Sequence, residues 1–185
     1  MYVPTLVERN DGVRAGVMLA GPYRTVDETL HAQAEKLAGI MRSTGASEQV
    51  IEQQLAGLRT TVESLRALRA GTFGGTSIDG LPLPYWQSWF DVGDDAVKIG
   101  PGLERPLLAI SGDYDWNVPP EETGRWREAF GDGSIHRAEV LPCITHALNC
   151  ISQPDPLKIR ASDIGRHVEP AVLEAVIDFL DESAR

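Results

Sequence analysis

Two carboxylates and one imidazole stand where a general base and its orienting acid would be needed. The apolar run 106–110 leads into Ser111-Gly112-Asp113-Tyr114-Asp115-Trp116-Asn117-Val118-Pro119, a short loop with two aspartates directly before a helix-forming stretch. The run 135–143 leads into Leu141-Pro142-Cys143-Ile144-Thr145-His146, a loop with one histidine. A carboxylate beside a histidine fixes its tautomer and stabilises the imidazolium, so that the ring can act as a general base. Taken singly, each feature has a plain structural explanation. Asp side chains in a Gly-Asp-x-Asp turn commonly cap the turn or the next helix, and a loop histidine is often structural. Their occurrence at successive strand exits is what favours one of the two carboxylates, Asp113 or Asp115, as a partner for His146.

The elements that must position these residues can be read from apolar patterning. Residues 13–20 (VRAGVMLA), 106–110 (PLLAI) and 135–143 (IHRAEVLPC) have strand character. The first two are nearly continuous in their apolar side chains, as parallel strands covered on both faces require. Residues 26–70 are rich in Leu, Ala, Gln, Glu and Arg and are broken only around Ser43-Thr44-Gly45, which predicts two helices joined by a turn. Thr25 and Glu28 have capping-box spacing at the start of the first. In the second, Val50, Leu55, Leu58, Val62, Leu65 and Leu68 make one apolar stripe. Its heptad-like pattern is too short and irregular for a coiled coil. Pro119-Pro120-Glu121-Glu122 opens a helix running to Phe130, since Pro suits a first turn and acidic residues favour a helix N-terminus. Residues 169–183 predict a last amphipathic helix with Val172, Val176, Ile177 and Leu180 on one face. Strands alternating with helices give the α/β class, with about three parallel strands. The helical hairpin reads as an insertion at 25–92 within a single domain over 1–185.

Composition narrows the partners. The 185 residues are 42% hydrophobic and 24% charged, enough for one domain to bury its own core. Subtracting 27 acidic from 17 basic residues gives −10, a balance that argues against duplex binding, which needs Lys and Arg against phosphates. No apolar run approaches the roughly 18 residues of a membrane span, and two cysteines without an apolar leader point to a reducing cytoplasm. Aromatic residues are absent from Arg24 to Thr72, while all four Trp lie between Trp86 and Trp126.

RPLLAISGDYDWNVP, EVLPCITHAL and GRHVEPAVLEAVIDFL together make the chain resemble the α/β-hydrolase superfamily, in its dienelactone-hydrolase and prolyl-oligopeptidase-like branch. They look like that family's acid strand, histidine loop and final helix. The resemblance implies that Asp115 is the triad acid and His146 the base, with Asp113 a neighbour, because the family's acid stands third after the glycine. It covers residues 103–180 well, residues 1–21 fairly, and the helical hairpin poorly, where the family has a variable cap. It further implies a small-molecule ester or acyl substrate and no cofactor. Tyr85 and Trp86, with Trp89, resemble a cap segment over an active site, although core packing explains them equally. Trp116, next to Asp115, is better placed to line a pocket.

The family's Gly-x-Ser-x-Gly elbow is missing from the chain. Ser77, in Gly75-Thr-Ser77-Ile-Asp79, follows a helix and precedes Leu-Pro-Leu-Pro, so it lacks the strand–turn–helix context. Ser43 lies between two helices. Residues 1–9 resemble the helix just after the family's nucleophile, and residues 11–21 the strand that follows. The expectation is therefore a C-terminal half of a hydrolase whose elbow lies upstream of Met1. The alternative is a non-catalytic remnant or subunit that binds a partner, or itself, through the open edge of strand 13–20.

Three other possibilities attach to the cysteines. Cys143, His146 and Cys150 have the spacing to offer zinc three ligands, with Asp115 as a fourth; Cys143 could act as a thiol nucleophile on His146; and Cys143 could bridge Cys150, which a cytoplasmic location disfavours. None is preferred to the triad, and no metal is expected. His31, His136 and His167 read as structural.

Overall fold

Strand β4, Leu107–Gly112, is buried along its whole length, and it forms the middle of the sheet that carries the site. The computed structural model describes residues 2–152 and 167–184, and the chain divides into two compact units: Met1–Tyr23 with Asp95–Arg185, and Arg24–Asp94. The first unit is α/β. Its sheet has the order β1-β4-β5, all parallel, with β1 at Gly16–Leu19 and β5 at Arg137–Leu141.

Alternation along β4 sends successive side chains to opposite faces. Leu107 and Ala109 join Val7, Met18, Trp126 and Phe130, so helix α1 (Val3–Arg9) and helix α5 (Pro120–Phe130) cover one face. Leu108 and Ile110 meet Phe179, with Ala175 and Val176 beside it, from the last helix, α6 (Pro170–Ser183). A Cβ at Gly16 would fall 2.6–2.8 Å from side-chain atoms of Val3, Val7 and Leu107, so the close seating of α1 on the sheet depends on a residue without a side chain. The Arg105 guanidinium donates to the carbonyls of Glu8, Asn10 and Val13, which serves the open C-terminal end of α1. Trp126 packs edge-on to Tyr23 and donates its indole N–H to the Gly21 carbonyl.

The second unit is helical. Helices α2 (Val26–Ser43) and α3 (Glu48–Arg69) form the expected hairpin. The Thr25 backbone N–H donates to Glu28 Oε2 at 3.1 Å, one arm of the capping box, and Ser47 Oγ accepts from the Val50 N–H. Ile51, Leu55, Val62 and Leu65 are the buried stripe of α3, whereas Val50 is 45% exposed. The expected stripe was off by one residue at its start because Val50 and Ile51 are both apolar, and only the 51-55-58-62-65 progression keeps to one helical face. A two-residue hairpin follows, β2 (Ser77–Ile78) with β3 (Leu81–Pro82), turning at Asp79-Gly80 with both residues in the left-handed region. Helix α4 (Leu83–Ile99), not anticipated from the sequence, then carries Tyr85, Trp86 and Trp89, and a 3-10 turn, Gly100–Gly102, ends it.

The last helix corrects a second expectation. Val172 and Phe179 are its buried residues, while Ile177 and Leu180 are 55% and 44% exposed. The apolar residues of α6 make two stripes, and the one containing the large aromatic faces the sheet.

Candidate active site

Ser111 and Gly112 end β4, and the backbone then turns so that three N–H groups are used in succession. Asp113 donates to the Leu141 carbonyl at 3.0 Å, Tyr114 to the Ile144 carbonyl at 3.0 Å, and Asp115 back to Gly112 at 3.2 Å. The first two bonds fasten the exit loop of β4 to that of β5. Gly112 makes the approach possible: a Cβ there would lie 1.8 Å from the Ile144 carbonyl oxygen. No sequence reasoning singled out Gly112 for this; a glycine at the end of a buried strand was the available signal.

Asp115 is 1% exposed. Its Oδ1 accepts from the backbone N–H groups of Asn117, at 2.9 Å, and Val118, at 2.8 Å, an Asx-type turn that leads into α5. Its Oδ2 lies 2.9 Å from His146 Nδ1, with Oδ1 at 3.2 Å from the same nitrogen. The two residues singled out from the sequence are therefore in hydrogen-bond contact across two loops. The carboxylate is held by backbone and sealed from water, while the imidazole has 42% of its side chain exposed. Hydrogen-bonding Nδ1–H to a buried carboxylate selects the tautomer with its lone pair on Nε2, the arrangement in which a histidine can accept a proton. Asp113, by contrast, is exposed and makes no part of this contact.

The histidine is presented by a tightly closed loop. Ile144 and Thr145 are buried, and His146 directly after them is exposed. Ile144 forms an isolated antiparallel bridge with Cys150, Ile151 N–H donates to the Cys143 carbonyl, and Thr145 N–H donates to the Asn149 carbonyl. The Thr145 hydroxyl bonds Asn149 Oδ1, both side chains being buried. Glu169 N–H donates to the Leu148 carbonyl, tying the approach to α6 to the same loop.

Cys143 and Cys150 are joined in a disulfide that brackets His146. This corrects the expectation of unpaired cysteines. With both sulfurs committed to each other, neither supplies a thiolate to zinc and Cys143 offers no thiol to His146. Among the described residues no group of three or more His, Cys, Asp and Glu side chains is arranged to hold a metal.

The remaining singled-out residues fall elsewhere. Trp116 sits half-buried beside Asp115. Tyr85 and Trp86 belong to the helical unit, their rings edge-on at 5.1 Å; Trp86 is buried and spends its indole N–H on the Ile78 carbonyl, and Tyr85 is 40% exposed. Ser77 lies in the β2–β3 hairpin of that unit, not on a strand-to-helix turn. His136 is buried against Phe130 and accepts the Leu107 N–H at Nδ1, a structural role; burial holds its pKa below the usual imidazole value. His31 and His167 are exposed.

Comparison with models of known protein families and with curated proteins returned no match. No helix among the described residues is long and apolar enough to cross a membrane.

Proposed function

We propose that Asp115 and His146 are the acid and base of a Ser-His-Asp triad in an α/β-hydrolase-like enzyme, esterase-like in its chemistry and cleaving esters or related acyl bonds, with the serine supplied by a polypeptide segment other than this one. The observation that supports this is the contact between His146 Nδ1 and the buried Asp115 carboxylate, set at adjacent exits of a parallel sheet, where α/β enzymes gather their working groups. In the proposed reaction the serine hydroxyl loses its proton to His146 Nε2 as its oxygen attacks the acyl carbon. Asp115 stabilises the imidazolium, which returns the proton to the departing alkoxide; a water molecule then repeats the sequence and releases the acid. Trp116, half-buried beside Asp115, would line the acyl pocket. A cytoplasmic site of action belongs to the same proposal. In that compartment the Cys143–Cys150 bridge is a state set by redox chemistry and not a permanent staple.

A second reading has one observation in its favour. Among the described residues β1 pairs only with β4, so its other edge presents backbone donors and acceptors of the kind that recruit another strand. On that reading the chain is a non-catalytic subunit or remnant that binds a partner or a second copy. Hydrolysis of a nitrophenyl ester separates the two. The chain alone is expected to show no rate above its His146→Ala variant. Addition of the polypeptide encoded upstream of Met1 is expected to produce a His146-dependent rate. A His146-dependent rate from the chain alone would show that the nucleophile lies within it. The absence of a Gly-x-Ser-x-Gly upstream, with no rate in either case, leaves the binding subunit.

A further inference from the structure

We propose that the Cys143–Cys150 disulfide is a redox-controlled clamp that sets His146 against Asp115, so that reducing it disassembles the acid–base pair without unfolding the sheet. This rests on the reading of Asp115 and His146 as that pair.

His146 and Ala147 lie at the exposed tip of the bridged loop, and the bridge closes its base, seven positions apart in sequence. The same base carries the Ile144 carbonyl, which accepts the Tyr114 N–H one residue before Asp115, so the covalent link and the acid loop share one frame of reference. Two residues of the loop, Cys143 at φ 60° and Leu148 at φ 63°, hold the left-handed conformation that L-residues avoid unless their surroundings impose it. Without the bridge these conformations and the ring's approach to Asp115 rest on the loop's hydrogen bonds and on the burial of Ile144, Thr145 and Asn149, and the freedom regained by the open loop opposes them. Both cysteines are partly exposed, within reach of a dithiol.

The exchange is balanced in two electrons. A dithiol, of the small-molecule or thioredoxin-like class, attacks one sulfur as its thiolate and expels the other, forming a mixed disulfide. Its second sulfur then displaces the protein sulfur, leaving two protein thiols and the oxidised dithiol. An oxidising disulfide reverses the sequence.

The test follows the ring N–H resonance of His146 in the 15N-labelled chain, assigned by its absence in His146→Gln. A hydrogen bond to carboxylate moves that resonance downfield and slows its exchange with water. In the untreated chain it is expected to be present. Dithiothreitol is expected to abolish it while the backbone amides of β4 and β5 stay in place, and oxidised glutathione to restore it. The Cys143→Ser/Cys150→Ser double variant is expected to lack it without reductant; should that variant not fold, the reductant titration of the native sequence decides alone. Survival of the resonance after reduction overturns the proposal. So does loss of the β4 and β5 amides together with it, which makes the bridge a general staple, or two free thiols in the untreated chain. Absence of the resonance from a chain whose disulfide is intact removes the acid–base pair itself, and with it the hydrolase reading.

Discussion

The α-carbon of Gly112 approaches the Ile144 carbonyl so closely that a methyl group there would lie 1.8 Å from its oxygen, far inside contact distance. The clash is with backbone, so no rotamer change relieves it; the two strand exits would have to separate. Because the Tyr114 N–H bonds that same carbonyl, Gly112→Ala is expected to break the fastening between the acid loop and the histidine loop. Overpacking against a fixed core costs on the order of 1–3 kcal/mol, and the lost hydrogen bond adds about 1 kcal/mol more. Urea denaturation reads this as a lowered midpoint. An unfolding free energy within about 0.5 kcal/mol of the native chain's, the range of neutral surface substitutions, would mean that the exits separate freely.

Asp115 performs two tasks that different substitutions divide. Asp115→Asn retains a carbonyl oxygen for the Asn117 and Val118 N–H groups but presents no anion to His146. Its cost in stability is expected to be about 1 kcal/mol, while the ring tautomer is no longer held with its proton on Nδ1, which 15N chemical shifts of the imidazole report. On the proposed triad, the corresponding loss is expected to be about 10⁴-fold in kcat. Asp115→Ala also strands the buried Val118 donor and is expected to cost about 1–3 kcal/mol more than Asn. Equal stabilities for the two variants would remove the turn-capping role.

What was legible from sequence shares a physical cause with what was not. The three strands, α5 and the two loops that carry Asp115 and His146 could be found because each depends on local pattern: continuous apolar runs, a Pro-Pro-Glu-Glu helix start, polar residues at strand exits. The choice of Asp115 over Asp113 needed the family resemblance. Helix α4 escaped notice because Leu-Pro-Leu-Pro reads as a breaker, although Pro84 sits in the first turn, where its missing N–H costs nothing, and Gly93 interrupts the interior. The face of α6 was misjudged because its two apolar stripes are equivalent until the sheet chooses Phe179. The cysteine bridge depends on the turn that brings Cys143 beside Cys150, a geometry that spacing permits without selecting.

One guanidinium joins all three helices of the second unit. Arg69 of α3 lies 2.9 Å from Asp27 of α2, also bonds Asp94 of α4, and stacks 4.2 Å above the Phe90 ring. Asp27 has only 7% of its side chain exposed, so removing its partner leaves a nearly buried charge. Arg69 is itself about a third exposed, which moderates the effect through solvent screening. Arg69→Leu is expected to destabilise the helical unit by about 1–2 kcal/mol, less than the roughly 3–5 kcal/mol of breaking a fully buried pair. Arg69→Lys is expected to recover only part of this, because one ammonium cannot fork between two carboxylates or stack on the ring as a guanidinium does. Thermal unfolding of the two variants checks the order, and a lysine variant as stable as the native chain contradicts the bridging role.

His136 gives the α/β unit an acid sensitivity whose sign follows from its surroundings. Burial pushes its pKa below the ordinary value of 6.5, more strongly than contacts with the Pro101 and Leu103 backbone raise it, and its Nδ1 accepts the Leu107 N–H, which only the neutral ring can do. The unfolded chain therefore binds a proton in a pH range where the folded chain does not. The stability contribution is complete above the unfolded value of about 6.5. It is lost progressively as pH falls below that, until the lowered native value is passed. His136→Asn keeps an acceptor for Leu107 and removes the titrating group. Its stability is expected to be lower than that of the native chain at pH 8, through the smaller side chain against Phe130, and the gap is expected to narrow between pH 6.5 and 5. Urea midpoints for both chains across that interval measure it; a gap independent of pH would show that His136 titrates alike in the folded and unfolded states.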